Sequence, residues 1–195
     1  MRFATTALVF LPLLSGLATA SPFLLTPRDA PDNSNNTNEF YIQIARPPDY
    51  GHTPIPYENY YLAVFHTGAG TNDATFVKNI TGATPAFQRN DSIIFDLEDG
   101  GADGFGLDVP QGNDYYAQWE SVSINSIQAP STGLSIDGEK PGIWSSDESF
   151  GGWLVCQWYH GVPQLFAQYK PLAEPNYPAS CTTVLLGTVP VKKTS

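Results

Sequence analysis

Three stretches hold side chains able to do chemistry. The first is "FHTGAGTNDATF", residues 65–76, which sets His66 and Asp73 on either side of Gly68 and Gly70. An imidazole at a strand end with a carboxylate across the turn is the pattern of a general base and its orienter. The same glycines suggest a phosphate cradle, but a cradle leads into a helix whose amides point at the anion. The segment after this turn is "ATFVKNI", β-branched and aromatic, and no Lys or Ser/Thr stands where a phosphate loop needs one. Thr67–Asp73 is therefore expected to be a hairpin turn. Its glycines would supply positive φ, and Asn72 and Asp73 would close it by side-chain hydrogen bonds. His66 then ends a strand on the face of Leu62 and Val64, either as a satisfied histidine at a core rim or as a ligand contact. The chain has no G-x-S-x-G elbow and no H-E-x-x-H, and no catalytic residue is assigned.

The second stretch is "FGGWLVCQWYHGVPQLF", residues 150–166, two strands around a His160–Gly161–Val162 turn. Alternation puts Leu154, Cys156 and Trp158 on one face and Trp153, Val155, Gln157 and Tyr159 on the other. Cys156 suggests that its face is inward, with Trp158 near the bridge. The Trp153 face is then either core, in a strand buried on both sides, or a solvent-facing aromatic strip. Flat rings stack on the apolar faces of sugars, and an amide bonds hydroxyls. The binding candidates are thus His66, Asp73, Trp153, Gln157, Tyr159 and His160.

The third is "DLEDGGADGFGLD", residues 96–108, five carboxylates among glycines. Hard oxygen ligands in a loop suit calcium, but with Asp99 and Asp103 at loop positions 1 and 5, Gly101 falls at 3 and Pro110 at 12, where an EF-hand needs Glu. A solvated acidic loop is the plainer reading. A carboxylate pair for glycoside hydrolysis is the sharper one. No metal and no cofactor is expected.

The elements around these stretches are short and β-rich. Runs at 39–46, 59–66, 74–80, 92–97, 105–109, 120–127, 134–136, 153–159, 163–169 and 182–189 are punctuated by 17 Gly and 17 Pro. No long window has a 3.6 period. The pattern predicts one all-β domain over 39–195, a β-sandwich or small β-barrel, with a β-trefoil as the alternative. Residues 1–20, with Arg2, the apolar run "ALVFLPLL" and a closing "ATA", are expected to be a secretory signal peptide, and 21–38 a disordered leader. No later apolar run is long enough to span a bilayer. Cys156 and Cys181, the only two cysteines, are then expected to form one disulfide.

The net charge is −10, and from Asn90 to Glu139 there is no Lys or Arg among ten Asp and Glu. Phosphate neutralisation needs clustered cations, so neither nucleic acid nor an anionic membrane is an expected partner. Sequons at Asn35, Asn79 and Asn90 mark surface positions of a glycoprotein. A glycan on Asn79 would place Thr75 and Val77 outward, and Phe76 and Ile80 inward.

Together "FHTGAGTNDA", "YYAQWESVSIN", "FGGWLVCQWYHGVPQLF" and "SCTTVLL" resemble, over 39–190, a family of small secreted proteins of filamentous fungi with no established function. The C-terminal arrangement, a Trp-Cys strand and a second Cys before the last strand, is also similar to fungal cell-wall mannoproteins. The resemblance implies an extracellular fungal β-protein and transfers no catalytic residue. The expected function is non-catalytic binding of a glycan or protein at the cell wall or a host surface. The alternatives are an extracellular hydrolase using His66 and acidic-loop carboxylates, and an effector or antigen-like protein that binds a host protein.

Overall fold

The computed structural model describes residues 38–95, 97, 104–111, 117–126, 130–170 and 177–192. Thirteen strands run through them: β1 (Phe40–Ala45), β2 (Tyr61–Gly68), β3 (Thr71–Val77), β4 (Ala86–Arg89), β5 (Ser92–Phe95), β6 (Phe105–Asp108), β7 (Trp119–Ser121), β8 (Ser123–Ser126), β9 (Leu134–Ile136), β10 (Ile143–Ser145), β11 (Phe150–Gln157), β12 (Pro163–Tyr169) and β13 (Cys181–Pro190). No α-helix occurs among the described residues. The hydrogen-bonded order β3–β8–β6–β5–β4–β1–β13–β11–β12 returns to β3, which closes a nine-strand antiparallel barrel. β2 pairs along β3 and touches β1 at Gln43↔Tyr61, and β7 lies beside β12. β9 and β10 form a separate hairpin. The sandwich-or-barrel expectation is resolved as a barrel, with one disulfide.

Closure depends on Val122, fully buried between β7 and β8. Its N–H donates to the Leu165 carbonyl of β12 at 3.0 Å, and its carbonyl accepts from Ala74 of β3 at 3.3 Å. One stretch of chain therefore leaves β12 and joins β3 and β6, and no buried backbone group is stranded at the corner. Inside, alternate residues meet in one core that includes Ile42, Leu62, Phe76, Phe95, Ile124 and Trp153. β1 shows the alternation plainly, with Phe40, Ile42 and Ile44 inward.

β11 is buried on both faces, and their assignment is the reverse of the expected one. Trp153 and Val155 point into the barrel core. Leu154, Cys156 and Phe166 form a second cluster outside it, roofed by Trp119, Trp158 and Tyr177. The Cys156–Cys181 bridge, S–S 2.04 Å, joins directly paired residues of β11 and β13 in that outer cluster. A disulfide marks a covered face, and here a small satellite core does the covering. Three rings pack edge-on over it, Trp119–Trp158 at 5.5 Å and each to Phe166 at 5.3 Å.

Two strands, β4 and β10, of four and three residues, lie outside the runs read from the sequence. β3 begins at Thr71, so Asn72 and Asp73 lie in strand instead of turn. The β2–β3 turn narrows to Ala69 and Gly70 and is held by Thr67 Oγ1 donating to the Thr71 carbonyl at 3.1 Å. Gly70 has φ +73°, and a Cβ there would sit 2.3 Å from Ser126 Oγ, so only glycine fits.

Candidate functional site

Residues opposite one another on antiparallel strands put their side chains on the same face. In β2–β3 the pairs are Phe65↔Asp73 and His66↔Asn72. His66 and Asp73 therefore point to opposite sides of the sheet, and the expected pairing of the two does not form. His66 is exposed at the barrel end, with Nδ1 3.2 Å from Asn72 Oδ1. Asn72 is buried and donates its amide to the Ile124 carbonyl at 2.8 Å, so its oxygen is the acceptor and the His66 Nδ1 carries the proton. His66 is a capped rim residue.

Asp73 instead meets a residue from the far end of the chain. Its Oδ2 is 2.6 Å from His160 Nε2, and the two side chains are only 16% and 12% exposed. A carboxylate accepts, so Nε2 donates, in a short charge-assisted geometry. The 158–162 turn that carries His160 is made by β11 and β12, whose register ends at Gln157↔Pro163, and by the Gly161 N–H donating to the Trp158 carbonyl at 3.2 Å. Gly161 has φ +74°, which reverses the chain directly after His160. β12 reaches β3 at Gln164↔Thr75, and this contact delivers the turn to Asp73.

The imidazole is also held by rings. Phe65 stacks on it at 4.2 Å and 28°, and Tyr159 lies against it at 3.9 Å and 46°. Phe65, His160 and Tyr159 form a three-ring run on the outer surface. Its inner member is clamped by a carboxylate, and its last ring, Tyr159, is 74% exposed. Gln157, also exposed, accepts from Tyr57 Oη at 3.0 Å, which ties the proline-rich 47–57 loop beside the turn. That loop is anchored in turn by Arg46, whose Nη2 sits 2.8 Å from both Glu58 oxygens.

Beyond Asp73 the same outer face continues through Ser123 to Asp108, by the pairs Asp73↔Ser123 and Asp108↔Ser123. Asp108 is engaged in the fold: it accepts from Asn125 at 3.1 Å and from Ser131 at 3.3 Å. The other carboxylates of the 96–108 stretch, Asp96, Glu98, Asp99 and Asp103, lie outside the described residues, as does Asn35. Among the described residues no group of three or more His, Cys, Asp or Glu is placed to hold a metal ion.

Of the six binding candidates, Asp73, Tyr159 and His160 converge, and Gln157 borders them. His66 belongs to the rim. Trp153 is a correction: it is fully buried, with its indole N–H donating to the Ile143 carbonyl at 2.6 Å, so it presents no surface. Phe65 was missed. Its signal was present, since odd positions of "YLAVF" face away from Leu62 and Val64. The Asp73–His160 contact spans 87 residues and had no local signal. The Asn79 inference is also corrected: Asn79 is exposed and caps a 3-10 turn by accepting from Thr81 N, but Thr75 is buried and Ile80 is 37% exposed. Strand alternation stops before Ile80, because that turn begins there.

Fold and surface together define a closed antiparallel β-barrel domain whose exposed chemistry is an aspartate-clamped histidine between two aromatic rings. The chain belongs to the family described as a domain of unknown function (DUF7907), whose family model matches residues 37–190. No curated protein and no solved structure matches it.

Proposed function

We propose that the mature chain is a secreted, non-catalytic barrel domain that binds a neutral glycan at the cell wall or a host surface, through the Phe65–His160–Tyr159 ring run. The supporting observation is the exposed Tyr159 ring on a rigid base. Holding an aromatic ring at 74% exposure leaves apolar area in water, and the Asp73 clamp and Phe65 stack fix the histidine beneath it. A fixed, solvent-facing ring loses little entropy when a sugar face stacks on it. The acidic balance, net charge −10, favours an uncharged polymer over an anionic one. The leader sequence, the sequons and the disulfide support the extracellular setting.

The hydrolase alternative rests on His66 and acidic-loop carboxylates; His66 lacks Asp73 as an orienter, since the two side chains are on opposite faces. The test is co-sedimentation with insoluble chitin, β-glucan and cellulose. Wild-type protein is expected in the pellet of at least one. Tyr159→Ala should lower the retained affinity about two- to twelvefold, the loss of one stacking contact of ~0.5–1.5 kcal/mol, with an unchanged melting temperature. Absence of wild-type protein from all three pellets would overturn the glycan reading and favour a protein partner.

A further inference from the structure

We propose that Asn90 is glycosylated and that the first sugar of its own glycan lies in the groove beside it. Asn90 and Asp91 form the tight turn between β4 and β5, with Arg89 paired to Ser92. Asn90 has φ +58°, a conformation asparagine tolerates better than other side-chain-bearing residues. The turn is fixed to the next hairpin: the Asp91 carbonyl accepts from Leu134 N at 2.7 Å, and its carboxylate accepts from Gly133 N at 3.0 Å. Beside it is a groove of about 330 Å³ lined by Asn38, Phe40, Gln88, Asn90 and Ile136.

Two observations meet here. Asn90-Asp91-Ser92 is an N-x-S sequon, and its asparagine is itself a wall of the groove. The lining also has the composition a single N-acetylhexosamine needs. Half-buried Ile136 offers an apolar edge for one face of the ring, with the rim of the mostly buried Phe40 beneath it. Asn38 and Gln88 offer side-chain amides for hydroxyl and acetamide groups, and Gln88 is held in place by donating to the Leu134 carbonyl at 3.1 Å. Attachment forms a bond from Asn90 Nδ2 to the anomeric carbon of a lipid pyrophosphate-linked oligosaccharide. The anomeric C–O bond breaks, the pyrophosphate leaves with the bonding pair, and the amide loses one proton. Asn79 differs, because its turn is exposed and its side chain caps Thr81 instead of lining the groove. This inference shares the secretory route with the proposed function and is independent of the ring run.

The test uses protein secreted from a eukaryotic host in a Thr37→Ala/Thr81→Ala background. This removes the Asn35 and Asn79 sequons, keeps the Asn79 cap, and leaves Asn90 as the remaining sequon. Glycopeptide mass spectrometry should find Asn90 occupied. Trimming the glycan to one N-acetylglucosamine should leave the melting temperature unchanged. Complete removal, compared as the unglycosylated protein made in a bacterial periplasm so that residue 90 stays asparagine, should lower it by about 2–4 °C. An unoccupied Asn90, no fall on complete removal, or the whole fall already on trimming would each overturn the placement.

Discussion

Trp153→Ala is expected to destabilise the barrel by about 3–5 kcal/mol, the range for removing a fully buried large aromatic. The side chain is 0% exposed and packs edge-on against Phe150 at 4.7 Å, which itself meets Trp144 at 5.0 Å. Its N–H also satisfies the Ile143 carbonyl, so the substitution leaves a cavity and an orphaned acceptor together. The indole is thus one of the links between the barrel wall and the β9–β10 hairpin. Urea unfolding followed by circular dichroism measures the effect. Trp158→Ala should cost less, since Trp158 is only partly buried on the satellite cluster. A Trp153→Ala protein as stable as wild type would mean that this face of β11 is not core.

The disulfide makes the second large contribution. It closes a separation of 25 residues, worth about 3–4 kcal/mol in the chain-entropy picture. Cys156 is fully buried beneath Phe166 and the two tryptophans, so the double variant Cys156→Ala/Cys181→Ala loses the cross-link and a little packing. Its unfolding midpoint should drop accordingly and be insensitive to added reductant, whereas reductant should lower the wild-type midpoint toward that of the variant. Equal midpoints for wild type and variant without reductant would contradict a stabilising bridge.

How far the sequence could be read depends on the range of each interaction. Period-2 patterning is local, so β1 was legible, and β2, β5, β12 and β13 stood out as short β-rich runs bounded by turn residues, although β5 and β12 are buried on both faces. The disulfide was legible too, because compartment and cysteine count leave one simple pairing. Which face of β11 is inside was not legible. Leu154–Cys156–Trp158 and Trp153–Val155 are equally apolar, and the choice depends on a second cluster formed by Trp119 and Tyr177 from distant segments. The site divides the same way. Tyr159 and His160 stood out by type, but Asp73 was matched to the nearer histidine. A one-residue difference in strand register decides which face a side chain takes, and the register here pairs His66 with Asn72. His160 arrives through the β12–β3 contact, which no spacing along the chain announces.

The central claim is that the Phe65–His160–Tyr159 run is the ligand surface. It is tested most directly by titrating the isotope-labelled protein with a soluble oligosaccharide of the polymer that retains it. The predicted result is saturable shifts of the Phe65, His160 and Tyr159 ring signals, with smaller ones at Gln157, and a Trp153 indole N–H that does not move. Saturable shifts confined to another surface, with the three rings unmoved, would contradict it.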